Sequence, residues 1–179
     1  MKAHVAVLLS ALSSGCGGVM DYMSRPVEVR GAVVGGNPAS ITLATPNVGH
    51  SPKDCAELLQ RRSAEECGAI NLSPGPDGSF HAELPSSMRG CAYLLIPPLL
   101  DLLCDYKSYF LVSIPDSHQD IYLIVVSSSG EAKISRLDEA RQGTSILEVT
   151  NVLRVPLAEK QFGVKEKDVV SLRITGLRE

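Results

Sequence analysis

The chain has 179 residues, which is enough for one domain once a short leader segment is set aside. Hydrophobic residues make up 44% of it, which suits a folded core and exceeds what a disordered chain carries. Aromatic residues make up only 4% and Trp is absent, so Val, Leu and Ile must build the core. This scarcity argues against ligand binding by aromatic stacking, and a net charge of -3 gives no electrostatic footprint for nucleic acid. We therefore expect no nucleic-acid partner.

The first residues have the pattern of an export signal. Lys2 is followed by an apolar stretch, Ala3–Leu12, in which His4 and Ser10 are the polar side chains, and then by small residues. A basic start, about ten apolar residues and small residues at a cleavage point are typical of a secretory signal. The stretch is much shorter than the roughly 20 residues of a transmembrane helix. The alternative interpretation is an ordinary buried strand or helix at the N-terminus.

The end of this stretch, Ser14-Gly15-Cys16, resembles the cleavage motif of bacterial lipoproteins, although Ser13 stands where Leu is usual. The resemblance implies that residues 1–15 are a signal peptide and that Cys16 becomes the acylated first residue of the mature chain. The lipid bilayer is then a partner of Cys16, because two or more acyl chains attach a protein stably to a membrane.

The same resemblance implies a cellular location. Gly17 follows the cysteine where Asp would signal retention in the inner membrane, so it implies an outer-membrane protein facing the periplasm or the cell surface. Residues 16–25 would be a tether, and residues 26–179 would form the folded domain.

Four cysteines remain when Cys16 is set aside, and they are candidates for disulfides: Cys55, Cys67, Cys91 and Cys104. They allow three connectivities, of which we favour Cys55–Cys67 with Cys91–Cys104. An unbroken helix would hold the Cα atoms of the first pair about 18 Å apart, so this pairing requires a chain reversal near Ser63. Two alternatives stay open: free buried thiols in a cytosolic protein, and a zinc site, for which the spacings contain no close cysteine pair.

The first strands of the domain are predicted from alternation. Val27–Val33 places valines on one face and Glu28 and Arg30 on the other, with Gly31 at a possible bulge. Ile41–Ala44 alternates in the same way after a Gly- and Pro-rich turn, so the two segments predict a hairpin.

A short helix is predicted next. Ser51-Pro52-Lys53-Asp54 combines a capping residue, a proline in the first helical position and a carboxylate near the exposed N–H groups. The helix should cover Cys55–Arg62 and bury Leu58 or Leu59. A second capping pattern, Ser63–Glu66, follows it, and its two glutamates most simply belong to a solvated first turn.

Pro74–Gly78 predicts a turn, since the calcium loop that Asp77 also suggests would need several more oxygen ligands. The strand after the turn should place Phe80, Ala82 and Leu84 inward. The apolar run Leu94–Cys104 predicts helical turns that cover one end of a sheet, or alternatively an exposed loop that binds a partner.

The remaining segments predict strands of different burial. Tyr109–Ile114 is largely apolar, Ile121–Val126 is apolar throughout as in a central strand, and Ala132–Leu137 is more polar, as at an edge. The last two strands are separated by a charged loop, Glu159–Asp168. In the first of them one face carries Leu147, Val149, Leu153 and Val155, and the second alternates through Val170, Leu172 and Ile174.

About eight short strands at regular spacing predict a mainly β fold, a sandwich or a barrel, with one or two short helices inserted. The first two strands and Asp77-Gly78-Ser79-Phe80 resemble the start of a transthyretin-like or carboxypeptidase-regulatory-like domain. The resemblance covers roughly residues 26–126. It implies a Greek-key β-sandwich that serves as a binding or spacer module.

Sequence motifs for catalysis are missing: no phosphate loop, nucleophile elbow or His-Glu-x-x-His occurs. We therefore expect no catalytic residue, no cofactor and no bound metal. The predicted function is an envelope-anchored lipoprotein whose domain binds a protein partner or supports an assembly. The alternative is a metal-binding or enzymatic envelope protein that uses the alternating Asp116, His118 and Asp120, a segment that is also typical of an exposed hairpin loop.

Overall fold

A computed structural model describes most of the predicted domain. The described residues are 22–23, 25–35, 40–46, 50–61, 64–85, 88–89, 107–115, 119–137, 145–161 and 164–176. Several sequence predictions lie outside them: the signal segment 1–15, Cys16, Cys91, the Leu94–Cys104 run with Cys104, Asp116 and His118.

Two sheets pack face to face, so the predicted mainly β sandwich is confirmed. Sheet I has the order β10-β11-β2-β5, where the strands are β2 (Val27–Val33), β5 (Ser79–Leu84), β10 (Ile146–Gln161) and β11 (Val164–Thr175). Sheet II has the order β4-β3-β7-β8-β9, where the strands are β3 (Ile41–Ala44), β4 (Ile70–Leu72), β7 (Ser108–Ile114), β8 (Asp120–Val126) and β9 (Ala132–Arg136). A separate two-residue pair joins β1 (Tyr22–Met23) to β6 (Met88–Arg89).

The core between the sheets comes from strand alternation and is almost entirely aliphatic. In β5 the predicted pattern is confirmed, since Phe80, Ala82 and Leu84 are buried and the residues between them are exposed. The largest fully buried side chains are Phe110 and a set of aliphatic residues: Ile41, Leu43, Leu84, Leu111, Ile114, Ile121, Ile124, Ile174, Val29 and Val112. Burying side chains of this size stabilises the fold by about 1.5–3 kcal/mol each before the loss of chain entropy.

The helix α1 (Pro52–Gln60) has the predicted cap at Ser51, but it begins and ends earlier than the predicted range Cys55–Arg62. Ser51 is its N-cap, with the Ser51 hydroxyl accepting from the Asp54 N–H at 3.1 Å and the Asp54 carboxylate accepting from the Ser51 N–H at 2.8 Å. This reciprocal pair satisfies two backbone donors that a helix start otherwise leaves open. Leu59 faces the protein and is buried.

The helix covers the outer face of sheet II. Leu59 and its neighbours form a second buried cluster with Leu111 of β7 and Ile121 of β8, which point away from the main core. The predicted central position of β8 is therefore confirmed, because one face packs on sheet I and the other under α1.

A disulfide joins α1 to the 3-10 helix Ala64–Cys67. Cys55 and Cys67 are fully buried, their Cα atoms are 5.8 Å apart, and the chain reverses between them. The predicted Cys55–Cys67 pairing is confirmed.

Two predictions about β2 are wrong. β2 and β3 do not form a hairpin, because β2 pairs with β11 and β5 in sheet I while β3 belongs to sheet II. Alternation shows that a strand has one buried face but does not show which strand lies beside it. Gly31 is not at a bulge either, since the pairing of β2 runs through it without a shift. The ring of Phe80 lies over Gly31, and a Cβ there would stand 2.0 Å from a ring carbon.

The last strands also differ from the prediction. A bulge between Val149 and Asn151 of β10 adds one residue, Thr150, without a partner in β11. The extra residue turns the side chains that follow it to the opposite face of the strand, so Leu147 is buried while Leu153 is 53% exposed. The predicted charged loop at 159–168 is wrong in its described part, because β10 continues to Gln161 and β11 starts at Val164.

The sandwich has two ends that differ in chemistry. We call one the Pro26 end, where β2 begins beside Asp168 of β11 and β5 runs out into Pro85. The opposite one is the Val34 end, where β2 finishes and β10 starts at Ile146. Two residues of the predicted tether, Tyr22 and Met23, pair with β6, and Arg25 is buried at the Pro26 end.

A buried carboxylate joins the two sheets at the Pro26 end. Asp168 of β11 faces inward and is fully buried. It accepts a hydrogen bond from the Ser108 hydroxyl of β7 at 2.7 Å and one from Arg154 Nε of β10 at 3.0 Å, and Arg25 Nη1 lies 3.8 Å away. Arg154 also donates to the carbonyls of Ser127 and Ser128, in the turn after β8. One carboxylate therefore connects both sheets and the chain segment that leads into β2.

We expect Asp168→Asn to lower the free energy of unfolding by roughly 3 kcal/mol, because it leaves the buried Arg25 and the half-buried Arg154 short of this anionic partner. Ser108→Ala is the matched control and should cost only about 1 kcal/mol, the usual value for one hydrogen bond. Urea unfolding monitored by circular dichroism measures both. Equal, small effects of the two substitutions would show that Asp168 does not hold the sheets together.

Candidate functional site

The metal-site hypothesis can be examined at Asp120, the one member of its set that the structure describes. Asp120 is fully buried, with Arg136 Nη2 2.5 Å from Oδ1 and the hydroxyl and N–H of Ser145 donating to Oδ2. Both carboxylate oxygens therefore already accept hydrogen bonds from the protein. The described part of the chain contains no group of three or more His, Cys, Asp or Glu placed to hold a metal ion.

Asp120 joins the two sheets at the Val34 end. It starts β8, and Ser145 immediately precedes β10, so their hydrogen bond connects sheet II to sheet I. The Tyr122 hydroxyl donates to the Ser145 carbonyl at 2.5 Å, and the Arg136 guanidinium lies 5.8 Å from the centre of the Tyr122 ring. The two ends of the sandwich are thus each closed by one buried aspartate.

A pocket opens at the Pro26 end, with a volume of about 290 Å³. Its apolar walls are Pro26, Leu84, Pro85 and Leu157, and its polar wall is formed by Glu28, Glu83 and Lys167. The pocket exists because β10 and β11 continue past the start of β2, which places Leu157 and Lys167 beside the two prolines.

The polar wall is a charge cluster on the outer face of sheet I. Glu28 lies opposite Glu83 of β5 and beside β11. Lys167 Nζ is 2.6 Å from Glu28 Oε2 and 3.2 Å from Glu83 Oε1, and it separates the two like charges. Arg30 and His81 approach the other oxygen of Glu28, at 2.5 Å and 3.3 Å.

The ionised state of this pair is strongly favoured. The hydrogen bond from Lys167, with that from Arg30 second, lowers the pKa of Glu28 from 4.5 to about 2, although burial opposes the shift. The hydrogen bond to Glu28 in turn raises the pKa of Lys167 above its ordinary value of 10.5. A carboxylate that stays ionised and an amine that stays protonated suit charge recognition and not proton transfer near neutral pH.

A second exposed feature lies at the Val34 end. Val34 and Ile146 are 52% and 56% exposed, and they flank Thr175 on the outer face of sheet I, about 10 Å apart by normal strand spacing. The third large apolar side chain exposed to this extent among the described residues is Leu153, further along β10. Neighbouring exposed apolar residues at a sheet end are candidates for contact with another molecule.

Sequence reasoning missed Glu28, Lys167 and Asp168. The burial of Asp168 could have been predicted from the sequence. Asp168 alternates in step with the inward-facing Val170, Leu172 and Ile174, so it lies on the same buried face of the strand. Glu28 gave no signal, since an outward glutamate on a strand is ordinary and its burial depends on a residue 139 positions away along the chain.

Comparison with known protein families, curated proteins and solved structures gives no match in any of the three. Within the described ranges, every helix is too short or too polar to span a bilayer.

The Glu28 cluster predicts a pH-dependent stability. Because the pKa of Glu28 is lowered in the folded state, its stabilising contribution is complete above the ordinary value of 4.5 and is lost as the pH falls from there to about 2. We expect Glu28→Gln to be less stable than the parent chain by roughly 1–3 kcal/mol near neutral pH. The difference should shrink steadily below about pH 4.5.

Urea unfolding of both proteins at several pH values measures this difference. Glu83→Gln is the matched control, because Glu83 lies opposite on the next strand but its side chain is 69% exposed, so it should change stability little. A difference in unfolding free energy between Glu28→Gln and the parent chain that does not change with pH would contradict the lowered pKa of Glu28.

Proposed function

We propose that this chain is a lipoprotein of the bacterial cell envelope, anchored by acylated Cys16, whose β-sandwich is a non-catalytic binding module for a protein partner. The observation that carries the proposal is the disulfide between Cys55 and Cys67. Disulfides form and persist in oxidising compartments, and the export-signal pattern of residues 1–15 leads to such a compartment.

The position of the disulfide supports a structural use of it. Both sulfurs are buried under α1, against Leu111 and Ile121, so the bond holds the helical insertion onto sheet II. A small envelope domain with few aromatic residues gains stability from such a crosslink. Localisation in the outer membrane follows from the resemblance of the segment around Cys16 to lipoprotein signals.

Binding is the better-supported role for the domain. The charges of Glu28 and Lys167 are held in their ionised forms, and Asp120 and Asp168 are occupied with joining the sheets. Val34 and Ile146, two exposed apolar side chains close together, lie at the end of the sandwich away from Pro26, where a tethered domain can meet a partner. A transthyretin-like or carboxypeptidase-regulatory-like ancestry would agree with this use, and it remains part of the proposal.

The proposed localisation and lipid anchor are tested by the intact mass of the full chain, expressed in a Gram-negative host and extracted from membranes. We expect loss of residues 1–15, a mass increase from acyl chains on Cys16, and no free thiols at the other four cysteines. The Cys16→Ser variant, which has no thiol to acylate, should be absent from the membrane fraction. Retention of residues 1–15 in a soluble product would overturn the proposal.

The binding role is tested by photo-crosslinking in cells, with a photoreactive residue at Thr175, between Val34 and Ile146. We expect one dominant crosslinked protein, and Ile146→Asp should reduce its yield by about tenfold, the effect of losing one apolar contact of roughly 1.4 kcal/mol. Leu153→Asp is the matched control, because Leu153 is on the same strand and equally exposed. A yield that both substitutions leave unchanged would argue against this surface as the binding site.

A further inference from the structure

We infer that the Pro26 end of the sandwich lies against the lipid surface, where the overhanging part of the β10–β11 hairpin contacts the headgroups. The inference rests on the proposed anchoring at Cys16. It concerns the orientation of the domain, which anchoring alone leaves open, because a long free tether would let the domain rotate in any direction.

The tether is too short for free rotation. Tyr22 and Met23 pair with Met88 and Arg89 in the same register in which β2 pairs with β5, so the pairing of these two segments continues beyond Pro26 and holds the chain as far as Tyr22. Six residue steps separate Cys16 from Tyr22, and a fully extended chain of that length reaches at most about 21 Å. From Tyr22 the chain runs through Arg25 and Pro26 directly into β2. An anchor on Cys16 therefore holds the Pro26 end close to the membrane.

The β10–β11 hairpin extends beyond the same end. The first partner of β2 in β11 is Asp168, while β11 already starts at Val164, four residues earlier. At about 3.3 Å per residue these four residues continue some 13 Å past the start of β2. We call this part of β11, Val164–Lys167, the overhang. Its length is comparable with the reach of the tether, so the overhang can touch the surface to which Cys16 is attached.

The chemistry of the overhang fits contact with zwitterionic headgroups and not strong attraction to an anionic surface. Lys165 and Glu166 are both exposed, which leaves the tip without a large net charge. Lys167 is already paired with Glu28 and Glu83. The tether, by holding the domain at high local concentration, must therefore keep the overhang at the membrane. The unanchored domain should not bind vesicles.

The opposite end is placed away from the membrane. β2 has seven residues, so Val34 is about 23 Å further from the anchor than Val27 is, measured along the strand. This orientation leaves Val34 and Ile146 facing outward, while the pocket beside Leu157 faces the bilayer.

The absence of Trp from the chain makes the orientation measurable by single-Trp fluorescence. We compare Lys165→Trp, on the overhang, with Val34→Trp, at the far end; both positions are exposed, so neither substitution disturbs the core. Each full-length lipidated variant is reconstituted into phosphatidylcholine vesicles that carry a short-range quencher on the headgroup. We expect emission from Lys165→Trp to be quenched about twofold or more and that from Val34→Trp to stay nearly unchanged, because the headgroup layer is thin.

The outcomes separate the inference from the proposal on which it rests. Equal quenching of the two variants in protein that floats with the vesicles would overturn the orientation and leave the anchor intact. Quenching of Lys165→Trp that disappears as the protein-to-lipid ratio rises would assign the overhang to a second copy of the chain and also overturn the inference. If the full chain does not float with vesicles, or floats equally well as Cys16→Ser, the anchoring itself fails and the inference falls with it.

Discussion

The structure depends first on the carboxylate of Asp168, buried between the two sheets and shared by Ser108, Arg154 and Arg25. Successive side chains of a strand point to opposite faces, so the residue before it, Lys167, must point outward. There Lys167 reaches Glu28. One inward charge thus sets the position of β11, and through β11 the outer ion pair and the pocket. A buried charge without its partners would be strongly destabilising, which is why this arrangement admits few alternatives.

A second constraint comes from the small number of large side chains available to the core. Without Trp, the chain builds its centre from aliphatic residues and covers the outer face of sheet II with a helix held by the disulfide. The Glu28 cluster and the Val34–Ile146 pair lie on the outer face of sheet I. The two features lie toward opposite ends, so a tether at one end leaves the other end available for contact with a partner.

Some elements could be predicted because their determinants are local. The capping pattern at Ser51 and Asp54, the alternation of β5 and the reversal that lets Cys55 meet Cys67 all depend on residues close together in the chain. The hairpin predicted for β2 and β3 was wrong because their alternation is the same whichever strands they pair with. The prediction that Leu153 faces the core was wrong because one extra residue, Thr150, turns the side chains after it to the opposite face of the strand.

The candidate site follows the same division. From the sequence alone come the export pattern, Cys16 as the expected anchor, the mainly β class and the positions of most strands, because these depend on composition and short-range periodicity. The tertiary structure decided that Asp120 closes the Val34 end, that Glu28 and Lys167 meet, and that the pocket opens beside Pro26. These features arise where strands distant in the sequence become neighbours. Burial and charge pairing belong to that assembled neighbourhood, and no single strand contains them.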